Sequence, residues 1–90
     1  MLAKNPIEIP SGKKLSREEL VQAIRLSIIA ELDAIDLYLQ LSSATDDPLA
    51  KKVFEDIARE ENTHVGEFLT LLEKLDPEQV KKTREGKERS

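Results

Sequence analysis

Residues 48–75 read PLAKKVFEDIAREENTHVGEFLTLLEKL. Asp47 just before them is a good N-cap, and Pro48 suits a first helical position, so a helix should open here. Ala50, Phe54, Ile57, Glu61, His64, Phe68, Leu71 and Leu75 are spaced 4-3-4-3-4-3-4. That is the heptad rhythm of helices packed on one another. At the centre of this apolar seam stand two ionisable residues, Glu61 and His64.

Upstream, Ser16 with Glu19 three residues later has capping-box spacing, and a first helix should run from about Arg17 to about Ala44. Its seam is Val21, Ile24, Ile28, Glu31, Ile35, Tyr38 and Ser42, again with an acid, Glu31, in the middle. Ser42, Ser43, Thr45, Asp46 and Asp47 break the chain between the two helices. Two helices of similar length joined by a tight turn form an antiparallel hairpin. Asp76-Pro77 repeats the start signal, so a short third helix is expected over 77–84, ended by Gly86, with frayed residues after it. No segment reads as a strand. The expected class is therefore all-α: an arm over 1–15 containing Pro6, Pro10 and Gly12, a hairpin over 16–76, and a short helix with a basic flexible tail over 77–90.

Ninety residues allow one small domain. The absence of cysteine excludes zinc ribbons, iron–sulfur clusters and thiol catalysis, and the single histidine excludes a His-rich metal cage within one chain. Residues 15–80 carry six basic side chains against fifteen acidic, while residues 81–90 carry five basic against two acidic. A body this acidic makes a poor nucleic-acid partner, and the basic tail reads as solvated. No stretch of about 18 uncharged apolar residues occurs, so no membrane span is expected, and residues 1–14 lack the apolar core of a signal peptide. The expected location is cytoplasmic.

Helix 1 carries more apolar residues than one seam requires. Leu20, Leu26, Ile29, Leu32, Leu37, Leu39 and Leu41 lie off its stripe. A helix apolar on several sides is normally buried on several sides, which a lone hairpin cannot do. Oligomerisation is the simplest resolution.

Glu31 lies about 15 residues before the turn centre and Glu61 about 15 after it, so at ~1.5 Å per residue both sit about 22 Å from the turn. An antiparallel hairpin puts them level, with His64 one turn beyond Glu61 on the same face. Two unpaired carboxylates in a seam must be protonated, ion-paired or metal-bound. No Lys or Arg occupies either seam; Arg25 and Arg59 lie off the stripes. Glu-x-x-His from one helix with a Glu from its neighbour is half of a di-iron carboxylate set, and two chains about a two-fold axis would complete it. Oxygen and imidazole donors without thiolate suit iron or manganese and also accommodate zinc. The bland alternatives are a seam Glu that sets helix register and an interface His. What weighs against them is the conjunction: three central, level donors with no cation beside them. Tyr38, one heptad beyond Glu31, either hydrogen-bonds a ligand or bound water or is a core tyrosine reaching solvent.

The segments AELDAIDLYLQ around Glu31 and AREENTHVGEFLTLLEKLDPEQV around Glu61 and His64 resemble the encapsulated ferritins, half-size ferritin-like proteins housed in encapsulin nanocompartments. The resemblance spans about residues 17–80 and is nearest to the archaeal branch fused to an encapsulin shell. It implies dimers sharing a di-iron ferroxidase centre, assembled as a decameric ring of five dimers. Glu31, Glu61 and His64 would be the iron ligands, with Tyr38 beside them. It also implies an acidic metal-uptake pair: Asp33 matches one member, but Ala30 stands where the other would be. Glu67 or Asp36 could stand in for the missing acid, although each reads more readily as a plain solvated carboxylate. The final residues, KKTREGKERS, contain no apolar shell-docking peptide, so the chain is expected either to come from a fusion or to be packaged otherwise. The implied function is a ferroxidase that turns Fe(II) into Fe(III) for storage in the shell. The rivals are a rubrerythrin-like di-iron peroxidase, which here would lack rubredoxin-type cysteines, and a helical assembly module without redox chemistry.

Overall fold

The computed structural model describes residues 11–90, so most of the expected N-terminal arm lies outside the described residues. Three helices follow in order: α1 (Arg17–Ala44), α2 (Pro48–Leu75) and α3 (Pro77–Arg89). The first two have the boundaries their sequence signals predict, because both starts are built from capping residues. The Ser16 hydroxyl accepts from the Glu19 N–H while the Glu19 carboxylate accepts from the Ser16 N–H, at 3.2 and 3.0 Å. The Asp47 carboxylate accepts from the Ala50 N–H at 3.2 Å, and Pro48 occupies the first turn.

Glu19 is held below the usual carboxylate pKa of 4.5, chiefly by its hydrogen bond from the Ser16 backbone and then by Lys13. A carboxyl whose folded pKa is depressed stabilises the fold above its unfolded pKa and loses that contribution as pH falls through the folded value. Acidification below 4.5 should therefore fray the first turn of α1. Amide exchange at Leu20 and Val21 would report it, and Glu19→Gln should make that exchange insensitive to pH in the same range.

α1 and α2 pack as an antiparallel hairpin. Val21, Ile24 and Leu72 form its buried cluster, with Ile28, Phe68 and Leu75 against them; Ala34, Ile35 and Ala58 are also buried. Both ends are tied. Near the turn, the Ser42 hydroxyl donates to Glu55 at 3.0 Å and Lys51 donates to the Ser42 carbonyl at 3.2 Å. At the far end, Arg17 donates to the Leu75 carbonyl and Arg25 to Asp76, each at 2.6 Å.

The α2 seam differs in detail from the expected one. Leu71 is 42% exposed, whereas Leu72 is 4% and Ala58 3%. The stripe that meets α1 is thus Phe54, Ala58, Glu61, Val65, Phe68, Leu72 and Leu75. It shares Phe54, Glu61, Phe68 and Leu75 with the predicted seam but replaces Ile57, His64 and Leu71 by their C-terminal neighbours. Two adjacent stripes on α2 both satisfy a 4-3 rhythm, so periodicity cannot choose between them. Packing chooses the one containing Ala58, which is buried, as is Ala34 at the same level by count from the turn. His64 and Leu71 are left exposed on the flank, while Ile57 stays half-buried beside the stripe.

α3 is longer than expected. It continues through Gly86 to Arg89 rather than ending near residue 84. An exposed helical Gly costs only about 1 kcal/mol relative to Ala, and the surrounding Lys, Arg and Glu favour helix. Lys87 and Arg89 in the last turn suit the helix dipole, and the Ser90 hydroxyl donates to the Gly86 carbonyl at 2.9 Å. A Cβ at Gly86 would meet nothing within 4 Å. Gly86→Ala should therefore stabilise α3 by up to ~1 kcal/mol, read as increased helical circular dichroism with the hairpin's own melting unchanged.

The molecule spans 45 × 42 × 18 Å, a single layer of helices. Domains normally bury their apolar stripes between two layers. Among the described residues no large side chain is less than 2% exposed, and Ile29, Leu32, Leu39, Val53 and Leu71 are 51, 49, 47, 45 and 42% exposed. The apolar excess of helix 1 stands uncovered in one copy of the chain. No helix among the described residues is long and apolar enough to cross a membrane.

Candidate metal centre

The hairpin brings Glu31 of α1 level with Glu61 and His64 of α2. One donor atom from each lies within 4.8 Å of the other two. His64 Nδ1 is 3.6 Å from Glu31 Oε2 and 3.9 Å from Glu61 Oε2. Both separations exceed a hydrogen bond. Donors that share an ion at roughly 2.1 Å from each can be up to about 4.2 Å apart, so the two histidine spacings fit a shared cation, and the full set, within 4.8 Å, needs at most a small side-chain closure. Glu31 Oε2 is itself buried, with no hydrogen-bond partner among the described residues. A carboxylate oxygen withdrawn from water and left unpaired is costly. The donor set fits a hard or borderline divalent ion, and the orphaned oxygen supplies a physical reason for one.

No lysine or arginine takes that role. Arg25 is held by Asp76 at 2.6 Å and Arg59 by Asp56 at 2.9 Å. The two Glu side chains are 23% and 21% exposed, while His64 is 49% exposed. The gradient follows from the α2 stripe: Glu61 lies on the face turned to α1 and His64 on its flank. The donors therefore converge on one side of the hairpin, near the exposed Leu71.

Tyr38 is placed differently. Its ring stacks on Phe54 with centroids 6.3 Å apart and planes 18° from parallel, the geometry of a favourable aromatic pair. Seven residues separate it from Glu31, about 10 Å along the helix. A cleft of about 250 Å³ is lined by two of the three candidate donors, Glu31 and His64, together with Glu67 and Phe68. Asp33, the acid expected at the uptake position, is not part of this lining. Glu67, read from the sequence as a solvated carboxylate, is. Its spacing of three from His64 was the available signal, but any helix this acidic offers several such spacings.

The rubrerythrin family profile matches residues 22–90. The chain is 50% identical over 86 residues to a ferritin-like–encapsulin shell fusion protein of Pyrococcus furiosus, covering 96% of this chain and 25% of that one. It is 40% identical over 85 residues to the encapsulin nanocompartment cargo protein EncC of Myxococcus xanthus, covering 94% of this chain and 65% of that one. It thus spans a quarter of the first relative and just under two thirds of the second. Among solved structures, the encapsulated ferritin domain from Pyrococcus furiosus superposes with a TM-score of 0.87 at 48% identity, covering 99% of this chain and 91% of that one. A level Glu, Glu-x-x-His set on a half-bundle and these likenesses converge: the chain belongs to the rubrerythrin family, with the ferritin-like helical fold of the encapsulated ferritins.

Proposed function

We propose that this protein is a ferroxidase whose di-iron centre is shared between two protomers. The observation that carries the reading is the convergence of Glu31, Glu61 and His64 on one side of the hairpin with Glu31 Oε2 unpaired. One chain supplies three donors and half of a four-helix bundle. A second copy about a two-fold axis supplies the matching half, so that four carboxylates and two imidazoles surround two Fe(II) ions. The carboxylates neutralise the ions and His64, through Nδ1, fixes one position on each. Bound as a pair, the irons would supply one-electron chemistry: two Fe(II) would pass one electron each to dioxygen, which takes up two protons to become peroxide, and leave as Fe(III). Tyr38, one heptad from Glu31 toward the turn, keeps its proposed part beside the centre, its ring oriented by the stack on Phe54.

The relatives bear encapsulin names, one as a shell fusion and one as cargo. On that basis the oxidised iron passes to an encapsulin shell, fused or separate, in the cytoplasm, and the dimers assemble as a decameric ring. Asp33 keeps its proposed part in metal uptake. The rubrerythrin family match also supports a second reading, reduction of peroxide at the same irons. Against it, this chain has no cysteine to deliver electrons.

The test is anaerobic loading of metal-stripped protein with Fe(II), measurement of iron per chain and of mass in solution, then admission of either air or peroxide. About one iron per chain, a mass that is an even multiple of the protomer and rapid Fe(III) absorbance in air support the ferroxidase. Fast turnover with peroxide alone supports the peroxidase. No bound iron with an unchanged oligomer defeats both.

A further inference from the structure

Asp-Pro opens both α2 and α3, yet the two aspartates are bonded differently. At the start of α2 the Asp47 carboxylate accepts from the Ala50 N–H at 3.2 Å and the Asp47 carbonyl from the Lys51 N–H at 3.0 Å, an ordinary capped start. At the start of α3, Asp76 makes no side-chain cap bond. The Gln79 N–H that its carboxylate would take is bonded to the Asp76 carbonyl instead, at 3.0 Å. The carboxylate turns back to α1, where Arg25 donates to it at 2.6 Å. The same guanidinium nitrogen lies 3.5 Å from Gln79 Oε1, and Gln79 Nε2 donates to Thr83 at 3.0 Å. The backbone differs accordingly: φ and ψ are −133° and 85° at Asp76 against −76° and 117° at Asp47.

We infer that Arg25 is a latch that sets the direction of α3. By drawing the Asp76 carboxylate out of its cap position, it holds the junction in a conformation other than the one a capping aspartate adopts. Three features support the assignment. No residue of α3 is buried, so apolar packing does not fix its direction. Arg17 secures the end of α2 by donating to the Leu75 carbonyl at 2.6 Å, which places the pivot at Asp76. α3 carries Lys81, Lys82, Arg84, Lys87 and Arg89, whereas residues 15–80 carry fifteen acidic side chains against six basic. Opposite charges would draw a free α3 toward the hairpin. Yet α3 stands out from it: a helical hairpin is about 20 Å wide, and the second dimension of the molecule is 42 Å. The latch therefore keeps a basic arm extended from an acidic body.

The test is a distance across the junction in the full-length protein. The chain has no cysteine, so Ser43→Cys with Glu88→Cys, both at exposed positions, places one nitroxide label on α1 and one on α3. Labelled protein is diluted with unlabelled protein so that an assembly holds one labelled copy, and the label separation is read by pulsed electron resonance. With Arg25 present a single narrow distance is expected. α3 is about 20 Å long, so a swing of about 20° moves its tip about 7 Å. Arg25→Ala should shorten the mean distance by about 5 Å or more. Asp76→Ser, which can still cap but is too short to reach Arg25, should give the same new distance, and the double variant should shift no further, as for two residues in one interaction. An unchanged distance in Arg25→Ala overturns the latch. So does a shift in Arg25→Ala that Asp76→Ser does not reproduce. A fall in helical circular dichroism in Arg25→Ala also overturns it, since the pair would then support the helix itself rather than its direction.

Discussion

Replacing Glu31 by Gln should raise the melting temperature of the metal-free protein and, at the same time, remove the stabilisation that metal confers. The opposite signs follow from the geometry. In the metal-free chain Glu31 Oε2 is buried and unpaired, and its neighbours are another carboxylate and an imidazole nitrogen at 3.6 Å. An unsatisfied buried oxygen costs about 1–3 kcal/mol. A neutral amide relieves this, because its NH₂ can donate to Glu61. A gain of about 1 kcal/mol corresponds to roughly 4–8 °C for a domain of this size.

With Fe(II) or Zn(II) present the order reverses. A ligand that binds only the folded state stabilises it by RT ln(1 + [L]/Kd), about 2.7 kcal/mol at a hundredfold excess over Kd. Glu31→Gln gives up a charged donor. Its metal affinity should fall by more than the ~10–100-fold that loss of an outer hydrogen-bond partner costs. His64→Ala should lose metal to the same degree without the apo stabilisation, since its ring is half exposed. Thermal melts with and without metal, on three proteins, read the whole pattern. If Glu31→Gln melts below wild type when metal-free, the carboxylate is satisfied in solution by something other than a cation, and the argument from its orphaned oxygen fails.

The second large effect concerns assembly. Leu71 is 42% exposed in one protomer and shares the α2 flank with Ile57 and His64. If a second copy covers that flank to complete the bundle, Leu71→Glu should dissociate it. Burying a leucine is worth about 1.5–3 kcal/mol, and a two-fold interface counts the change twice. The expected loss of about 3–6 kcal/mol raises the dissociation constant by roughly 10²–10⁴. Sedimentation at micromolar concentration should show single protomers that keep their helical content, because Leu71 contributes little to the hairpin's own core. Iron per chain should fall with assembly, since each site would then be half a centre. An unchanged mass would place the partner elsewhere, on the uncovered α1 surface around Ile29, Leu32 and Leu39.

Much of this chain can be read in one dimension because its signals are local. Ser16 with Glu19, and Asp47 with Pro48, are caps that act within a few residues, and the observed helix starts obey them. The level placement of Glu31 and Glu61 follows from helical rise and a tight turn alone. That is why counting residues finds the same three donors that lie within 4.8 Å of one another. The end of α3 was less legible. Gly86 is a stop signal only when nothing outweighs about 1 kcal/mol, and here the flanking charged residues do.

What the sequence by itself determined is the all-α class, the two long helices, and the type and depth of the donor residues, since these depend on hydrogen bonds and spacing within one segment. What only the tertiary structure decided is which of two adjacent α2 stripes meets α1. That choice buries Ala58 and Leu72, leaves His64 and Leu71 on the flank, and goes with the stack of Tyr38 on Phe54 and a cleft that Glu67 helps to line. Periodicity gives a helix its faces, but the rotation of one helix against another is set by how side chains of unlike size interlock. That interlocking is a property of the pair and is written in neither helix alone.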